Sequence, residues 1–290
     1  MFIGTLTAIV TPFRNGKLDE QAFGDLIEWQ IANGTNGIVP CGTTGESATL
    51  THQEHHRVVE LTVEVVNRRI PVIAGTGSNS TAEAVSLTKH AKQAGADGAL
   101  IITPYYNKPM QEGLYRHYKA LAESVDLPQI LYNIPGRTGV NMLPSTVARL
   151  CGLQNIVGIK EGSGSVQQAS EIVSTCGDRI TVLAGDDALT LPMMAVGGKG
   201  VISVTSNIVP SQMAQLVQAF LSSRIDEARR IHSALSPLFN ALFYETNPIP
   251  VKTALGLMGK IDPELRLPLC AMATETKDKL TRVLKDAGLI

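Results

Sequence analysis

The stretch IVGIKE, residues 156–161, is a continuous apolar run that ends in a lysine and a glutamate. Such runs are typical of parallel strands, because these strands are covered on both faces and need no alternating polar side chains. Similar short runs recur at intervals of roughly 30 residues, with amphipathic stretches between them. The predicted strands are Leu6–Val10, Gly37–Pro40, Val72–Ala74, Ala99–Thr103, Gln129–Tyr132, Val157–Lys160, Val182–Ala184 and Val201–Val204.

Eight strand–helix units predict an α/β fold of the (β/α)8 TIM-barrel type. The alternative, an open doubly wound sheet, would be favoured by a G-x-G-x-x-G motif after the first strand. Residues 11–16 read TPFRNG instead. From about Gln212 onward the pattern is helical only. We therefore predict a catalytic barrel over residues 1–225 and a C-terminal helical extension, residues 226–290, packed on it.

Two of the predicted helices begin with a pattern that fits a capping box. Thr51 precedes Glu54, and Ser80 precedes Glu83, each by three residues. In a capping box the two side chains satisfy backbone N–H groups that have no partner within the first helical turn. The sequence therefore predicts helix starts at both places.

Composition excludes several classes of protein. The 290 residues carry a formal net charge of -1 and no block of like charge, so a nucleic-acid partner is not expected. No apolar run approaches the roughly 20 residues that cross a bilayer, and the N-terminus lacks the pattern of a secretory signal. The four cysteines have no metal-ligand spacing. Scattered thiols without an export signal predict a cytoplasmic protein with reduced cysteines.

Polar side chains follow several predicted strands where each strand ends, and in barrel enzymes these ends carry the chemistry. Lys160 ends an apolar strand, so its stem should point to the barrel mouth. Desolvation lowers the pKa of a lysine, and a neutral amine can attack a ketone to form an imine. The alternative is a lysine whose stem is buried and whose ammonium reaches solvent.

Two other strand ends offer groups that suit a keto acid. Tyr132 could carry protons to and from an imine. Thr43 and Thr44 lie between glycines, where backbone N–H groups can approach a carboxylate. Arg137 follows a Pro-Gly turn and offers a planar fork for a second carboxylate. Each residue alone also fits an ordinary structural role, and their placement on adjacent strand ends is the stronger observation.

With these residues in place, the chain resembles the dihydrodipicolinate synthase family of pyruvate-dependent class I lyases and aldolases. The resemblance covers essentially the whole chain. The motifs that carry it are GTTGES (residues 42–47), PVIAGTG (71–77), TPYYN (103–107), YNIPGRTG (132–139) and GIKE (158–161). The resemblance implies condensation of pyruvate with L-aspartate 4-semialdehyde to 4-hydroxy-tetrahydrodipicolinate, in lysine and diaminopimelate biosynthesis, with no metal or organic cofactor.

The resemblance also implies roles for individual residues. Lys160 is the implied Schiff-base lysine, and Thr44, Tyr132 and Tyr106 are the implied proton relay, with Tyr106 supplied by a neighbouring subunit. By the same resemblance, Thr43 and Thr44 would bind the pyruvate carboxylate, Arg137 would bind the aldehyde carboxylate, and the main chain at Gly185 and Ile202 would line the pocket. The implied assembly is a homotetramer, a dimer of dimers. The implied site for inhibitory L-lysine comprises Ser47, Ala48, His52, His55, Asn79, Glu83 and Tyr105.

Four other functions remain open at this stage. Within the same superfamily, N-acetylneuraminate lyases and keto-deoxy-sugar aldolases share the barrel, the lysine and the tyrosine, but typically lack an arginine at the position of Arg137. A metal-dependent aldolase needs histidines at strand ends, whereas all six histidines fall in predicted helices. A pyridoxal-phosphate enzyme would use GGKG, residues 197–200, as a phosphate loop. A non-catalytic barrel would not need both Lys160 and Tyr132.

Overall fold

The computed structural model describes residues 2–290. Eight parallel strands form one sheet in the order β4-β1-β10-β9-β8-β7-β6-β5, and an isolated bridge between Ile38 and Val72 joins the two ends. The sheet therefore closes into a barrel, and each predicted strand overlaps one of these eight. The strands, including a small hairpin of β2 and β3, are β1 (Gly4–Ala8), β2 (Phe13–Arg14), β3 (Lys17–Leu18), β4 (Gly37–Val39), β5 (Ile73–Gly75), β6 (Gly98–Ile102), β7 (Gln129–Asn133), β8 (Ile156–Glu161), β9 (Thr181–Ala184) and β10 (Gly200–Ser203).

Helices separate the barrel strands, which confirms the predicted (β/α)8 fold. Three further helices, α10 to α12, follow the helix after the last strand, and α10 packs on α9 and α12. The division of the chain at residue 225 stays a prediction. The helices are α1 (Glu20–Ala32), α2 (His52–Val66), α3 (Thr81–Ala94), α4 (Gln111–Ser124), α5 (Pro135–Thr138), α6 (Pro144–Leu150), α7 (Val166–Cys176), α8 (Thr190–Ala195), α9 (Pro210–Leu221), α10 (Ile225–Ala241), α11 (Ile249–Leu257) and α12 (Thr274–Asp286).

Only one of the two predicted capping boxes forms. At the start of α2, the Thr51 hydroxyl accepts from the Glu54 N–H, and the Glu54 carboxylate accepts from the Thr51 N–H. Helix α3 also begins where predicted, directly after Ser80, but its capping box does not form, because the Ser80 side chain makes no cap hydrogen bond. Instead the Ser78 hydroxyl donates to the Glu83 carboxylate and accepts from the Ser80 N–H. The Ser78 hydroxyl thus accepts from the Ser80 N–H, which in a capping box would donate to the Glu83 carboxylate.

The barrel interior is filled with side chains, as in other closed eight-stranded parallel barrels. A second, larger apolar cluster lies between the strands and the surrounding helices. No helix within residues 2–290 has both the length and the apolar character that a membrane crossing needs. The buried apolar residues of the interior cluster are Leu6, Ala8, Val39, Ile73, Leu100, Ile130, Tyr132, Leu183 and Ile202.

Candidate active site

Lys160 points into the barrel. It lies on β8, in register with Tyr132 of β7 and Leu183 of β9, and residues in register on adjacent strands face the same side of a sheet. Both neighbours belong to the interior cluster. The side chain of Lys160 is 5% exposed, and its Nζ lies 4.4 Å from the centroid of the Tyr132 ring. The lysine that ends the apolar run is thus buried in the barrel and does not reach solvent.

The surroundings of Lys160 favour the neutral amine. Burial lowers its pKa from 10.5 to about 8, the negative charge of Asp187 opposes that shift, and the positive charge of Arg137 adds to it. Asp187 is itself buried, and one carboxylate oxygen accepts from the N–H and the hydroxyl of Thr205, both at 2.8 Å. Its other oxygen has no hydrogen-bond partner. A fraction of Lys160 near one tenth is therefore neutral at pH 7, which suits a nucleophile.

Tyr132 keeps its proton at neutral pH. Burial raises the pKa of its phenol to about 12, although the positive charge of Arg137 acts in the opposite direction. The phenol can therefore donate a proton to a developing charge and recover it later. Sequence position had suggested a tyrosine at the mouth of the barrel, and the structure places its ring directly beside the Lys160 amine.

The segment of residues 42–46, here called the threonine loop, follows β4 and is folded back on itself. The N–H groups of Gly45 and Ser47 both donate to the Gly42 carbonyl, at 3.1 Å and 3.3 Å. The Gly45 carbonyl accepts from the Thr11 hydroxyl at 2.7 Å. A Cβ atom on Gly45 would lie 3.1 Å from the Ile9 carbonyl oxygen, so the close packing here favours glycine. This packing holds the loop, with its two threonines, against the strand ends.

Asn247 joins two parts of the site, and nothing in the local sequence signalled it. Its side-chain amide donates to the Thr44 hydroxyl at 3.0 Å, and its main-chain carbonyl accepts from the Arg137 guanidinium at 2.9 Å. Both Asn247 and Thr44 are buried. Because the Thr44 oxygen already accepts from the amide, its own hydrogen is free to donate elsewhere. The threonine and the arginine are thus positioned by one residue from the C-terminal segment.

A cavity of about 460 Å³ opens at this end of the barrel. Thr43, Tyr132, Arg137 and Asn247 line it, whereas Lys160 is not among the lining residues and contacts the ring of Tyr132. Thr44 is likewise set back, with its hydroxyl bound to Asn247. The volume of the cavity is in the range of small-molecule binding sites.

The same cavity extends to most of the residues that the sequence suggested for L-lysine. Glu83 accepts hydrogen bonds from Ser78 and from His52, whose Nε2 lies 2.8 Å away, and these bonds lower the pKa of the Glu83 carboxyl. His55 is buried, and its Nε2 contacts the Gly75 carbonyl at 2.8 Å. Burial lowers the pKa of His55 to about 4, so this ring is neutral at pH 7. The suggested residues that line the cavity are Ser47, Ala48, His52, His55, Glu83 and Tyr105.

The remaining suggested residues lie outside the cavity lining. The Asn79 carbonyl accepts from the side-chain amide of Asn107 at 2.9 Å. Gly185 follows β9, and a Cβ atom there would lie 2.8 Å from the Gly162 Cα, so only glycine fits. Ile202 is buried on β10 beside Leu6.

Tyr106 is separated from the site within a single chain. Its side chain is 88% exposed, and its φ of 69° lies in the left-handed region. Tyr106 is not among the residues that line the cavity, whereas Tyr132 is. All six histidines lie in helices, as predicted, and no cluster of three metal-ligand side chains occurs within residues 2–290.

The chain is similar in sequence to known proteins. A sequence model described as the Dihydrodipicolinate synthetase family matches residues 1–287. A protein named 4-hydroxy-tetrahydrodipicolinate synthase from Geotalea daltonii is 62% identical over 290 residues, with all of both chains covered. The protein of the same name from Syntrophus aciditrophicus is also 62% identical over the full length of both chains.

Solved structures give the same result in three dimensions. A dihydrodipicolinate synthase from Acinetobacter baumannii, complexed with pyruvate, matches with a TM-score of 0.98 and 48% identity over all of both chains. A homologue from Cyanidioschyzon merolae with lysine bound matches with a TM-score of 0.96 and 41% identity, covering 100% of this chain and 99% of that one. A monomeric dihydrodipicolinate synthase variant matches with a TM-score of 0.98 and 48% identity, covering 100% and 98%.

Proposed function

The chain belongs to the dihydrodipicolinate synthetase family, and from that premise we propose that it condenses pyruvate with L-aspartate 4-semialdehyde to give 4-hydroxy-tetrahydrodipicolinate. The observation that carries the proposal is the buried Lys160 amine, with a pKa of about 8, beside the Tyr132 ring. The pyruvate complex of the A. baumannii relative supports the first substrate. Formation of this product would supply lysine and diaminopimelate biosynthesis.

The proposed reaction begins at Lys160. Its neutral amine attacks the ketone carbon of pyruvate, water leaves, and a protonated imine forms that acts as an electron sink. The methyl group then loses a proton to give an enamine, whose carbon attacks the aldehyde and forms the new carbon–carbon bond. The amine of the semialdehyde finally attacks the imine carbon, closes the ring and releases Lys160.

Tyr132 and Thr44 are the proposed proton carriers for these steps. The Tyr132 phenol is protonated at neutral pH, so it can donate to the oxygen that leaves as water. The Thr44 hydroxyl has its acceptor side occupied by Asn247, which leaves its hydrogen directed away from that amide. A second copy of the chain would supply Tyr106 as the third carrier, since this side chain is exposed in a single chain.

The proposed carboxylate contacts divide between two sides of the cavity. Thr43, Thr44 and the N–H groups of the threonine loop would bind the pyruvate carboxylate. Arg137 would bind the carboxylate of the semialdehyde, and its hydrogen bond to the Asn247 carbonyl fixes one edge of its guanidinium. The main chain at Gly185 and Ile202 would complete the pocket around the imine.

The decisive experiment is reduction of the protein by borohydride in the presence of pyruvate. We expect one pyruvyl adduct, and peptide mass mapping should place it on Lys160. Lys160→Ala should give no adduct, and protein treated with borohydride alone serves as the control. An adduct on any other lysine would refute the assignment.

The aldehyde partner can be tested separately, because Arg137 distinguishes the two candidate substrate classes. A site built to pair a carboxylate loses charge-assisted hydrogen bonds when the partner lacks one. We expect turnover with aspartate semialdehyde and little with N-acetylmannosamine, and Arg137→Met should weaken the first. Arg149→Met, which removes an arginine stacked on Tyr115 away from the cavity, is the matched control. Faster turnover of the sugar aldehyde would favour a lyase of the N-acetylneuraminate type.

We further propose that L-lysine binds in the extension of the cavity and inhibits the enzyme. The lysine-bound relative supports this, as does the Glu83 carboxylate, which could pair with the ligand's ammonium group. Glu83→Gln should abolish inhibition and leave the borohydride adduct unchanged. Glu60→Gln, which removes a carboxylate paired with His90 outside the cavity, should retain inhibition. Equal inhibition of both variants would remove Glu83 from the proposal.

The proposed assembly is a homotetramer made of two dimers, with residues 226–290 as a helical extension of the barrel domain. The exposed Tyr106, together with exposed Met110 nearby in the sequence, supports a surface that another copy covers. One relative is described as a monomeric variant, so assembly differs among these proteins. Sedimentation at several protein concentrations would measure the state of this chain.

A further inference from the structure

Lys252 is a fully buried lysine that the proposed chemistry does not use. It lies on α11, one turn after Asn247, and its side chain is 0% exposed. Its Nζ donates to a Glu46 carboxylate oxygen at 2.6 Å and to the Thr11 carbonyl at 3.0 Å, and it lies 4.4 Å from the centroid of the Phe13 ring. The second Glu46 oxygen accepts from the Arg266 N–H at 3.1 Å. The ammonium thus sits in a prepared site of two acceptors and one aromatic face.

Both hydrogen-bond partners of Lys252 hold the threonine loop. Glu46 is the last residue of that loop, its N–H donates to the Thr43 carbonyl at 3.1 Å, and its φ of 53° is left-handed. Thr11 binds the loop from the other side, through its hydroxyl and the Gly45 carbonyl. Lys252 therefore joins two groups that fix the backbone of Thr43 and Thr44, although it lies more than 200 residues away in the chain.

Stability alone does not account for this pair. Burying two charges costs desolvation energy that their attraction often fails to recover, and replacing both by apolar side chains is frequently neutral or stabilising. A buried pair at this position does what an apolar contact cannot do, because it fixes the direction of the Glu46 side chain and hence the turn that precedes it. Asn247, at the start of the same helix region, makes the other contact from this segment to the loop.

We propose that Lys252 and Glu46 form a positioning pair, through which α11 sets the threonine loop for capture of the pyruvate carboxylate. This inference rests on the proposed function, since it assumes that Thr43 and Thr44 bind pyruvate. Neither residue touches a reacting atom. The C-terminal helices would thus complete the substrate site of the barrel.

The test compares Lys252→Met, Glu46→Gln and the double variant by titrating pyruvate in the borohydride reaction. Misplacement of a binding group by about 1 Å can cost as much as 100-fold, so we expect the half-saturating pyruvate concentration to rise roughly 10- to 100-fold. Adduct formation at saturating pyruvate should persist in each variant, because Lys160 is intact. The half-saturating concentration of the semialdehyde should change far less than that of pyruvate.

The double variant separates positioning from folding. It contains no unpaired buried charge, so its thermal unfolding should return toward that of the parent protein, while its half-saturating pyruvate concentration should stay raised. Lys260→Met is the matched control, because Lys260 follows the same helix and contacts the Trp29 ring but not the loop. Its pyruvate titration should match that of the parent.

Three outcomes would overturn the inference. A double variant with the parent's half-saturating pyruvate concentration would show that the pair does not position the loop. Failure of all three variants to fold, while Lys260→Met folds, would show that the pair serves only the fold. Absence of a Lys160 adduct in the parent protein would remove the proposed function itself, and the inference with it.

Discussion

Lys160 occupies a position that is unfavourable for a charged ammonium group. Its neighbours in register, Tyr132 and Leu183, belong to the interior cluster, and burial is the largest cause of its lowered pKa. The negative charge of Asp187 restores part of the stabilisation that the ammonium form of Lys160 loses on burial. The result is a pKa of about 8. At neutral pH a minor fraction of Lys160 is therefore the neutral amine that can react, and the rest is protonated.

The first prediction concerns the pH dependence of imine formation. The trapping rate should rise about tenfold per pH unit below pH 8 and level off above it, because only the neutral amine attacks. Asp187→Asn removes the charge that stabilises the ammonium form, so the pKa of Lys160 falls and the curve moves to lower pH. Asp186→Asn is the control, because Asp186 caps Ala188 instead. An unmoved curve for Asp187→Asn would contradict the electrostatic assignment.

The second prediction concerns the stability cost of the same amine. The folded pKa lies below the unfolded value, so the unfolded state binds more protons and the penalty is fully present below about pH 8. Lys160→Met should therefore raise the free energy of unfolding at pH 7 by on the order of 3 kcal/mol, while abolishing activity. The gain should shrink as the pH rises from 8 toward 10.5. Urea unfolding at pH 7 and pH 10 measures it, and an equal gain at both would contradict the charge origin.

Individual helix ends show what the sequence could and could not predict. Thr51 and Ser80 carry the same spacing to a glutamate, yet only Thr51 forms the capping box. Near Ser80, a second serine at position 78 competes for Glu83, and His52 from another helix binds the same carboxylate. The three-residue spacing between a serine and a glutamate does not reveal which other side chains bind the same carboxylate.

A third prediction uses this difference between the two helices. Thr51→Ala removes a hydroxyl that caps α2 and should lower the free energy of unfolding by about 1 kcal/mol. Ser80→Ala removes a hydroxyl that makes no cap hydrogen bond, so its effect should be clearly smaller. Urea midpoints of the two variants give the comparison directly. Equal losses would mean that the α3 cap forms in solution after all.

The barrel as a whole was predictable, because its strands are contiguous apolar runs and its reactive side chains end them. Lys160, Tyr132, Arg137 and the two threonines were predicted as site residues because they end or follow such strands. Asn247 and Lys252 were not, because both come from the segment beyond the last strand and reach the threonine loop only through the tertiary fold. Asp187 lies shortly after β9, and its effect on Lys160 depends on a distance that the sequence does not contain.

A fourth prediction belongs to the assembly. If Tyr106 completes the site of another copy, Tyr106→Phe and Lys160→Ala should each be impaired, and mixing them should restore activity. In a mixed dimer one site contains an intact Lys160 and an intact Tyr106, so random exchange should yield about a quarter of the parent turnover. Sedimentation should show that neither variant dissociates. No recovery after confirmed subunit exchange would place Tyr106 outside the neighbouring site.

Because side chains fill the interior of the barrel, the barrel offers no second route to the cavity. The interior cluster occupies the barrel, so we expect both substrates, the released water and the product to pass through the cavity at the strand ends. Pyruvate reacts at Lys160, which is the deeper position, so pyruvate must bind first. A semialdehyde molecule that bound earlier would block its access. Initial-rate measurements should accordingly show obligatory addition of pyruvate before the semialdehyde, with excess semialdehyde competing against pyruvate. The order in which the two substrates bind is thus set by the shape of the barrel as much as by their affinities.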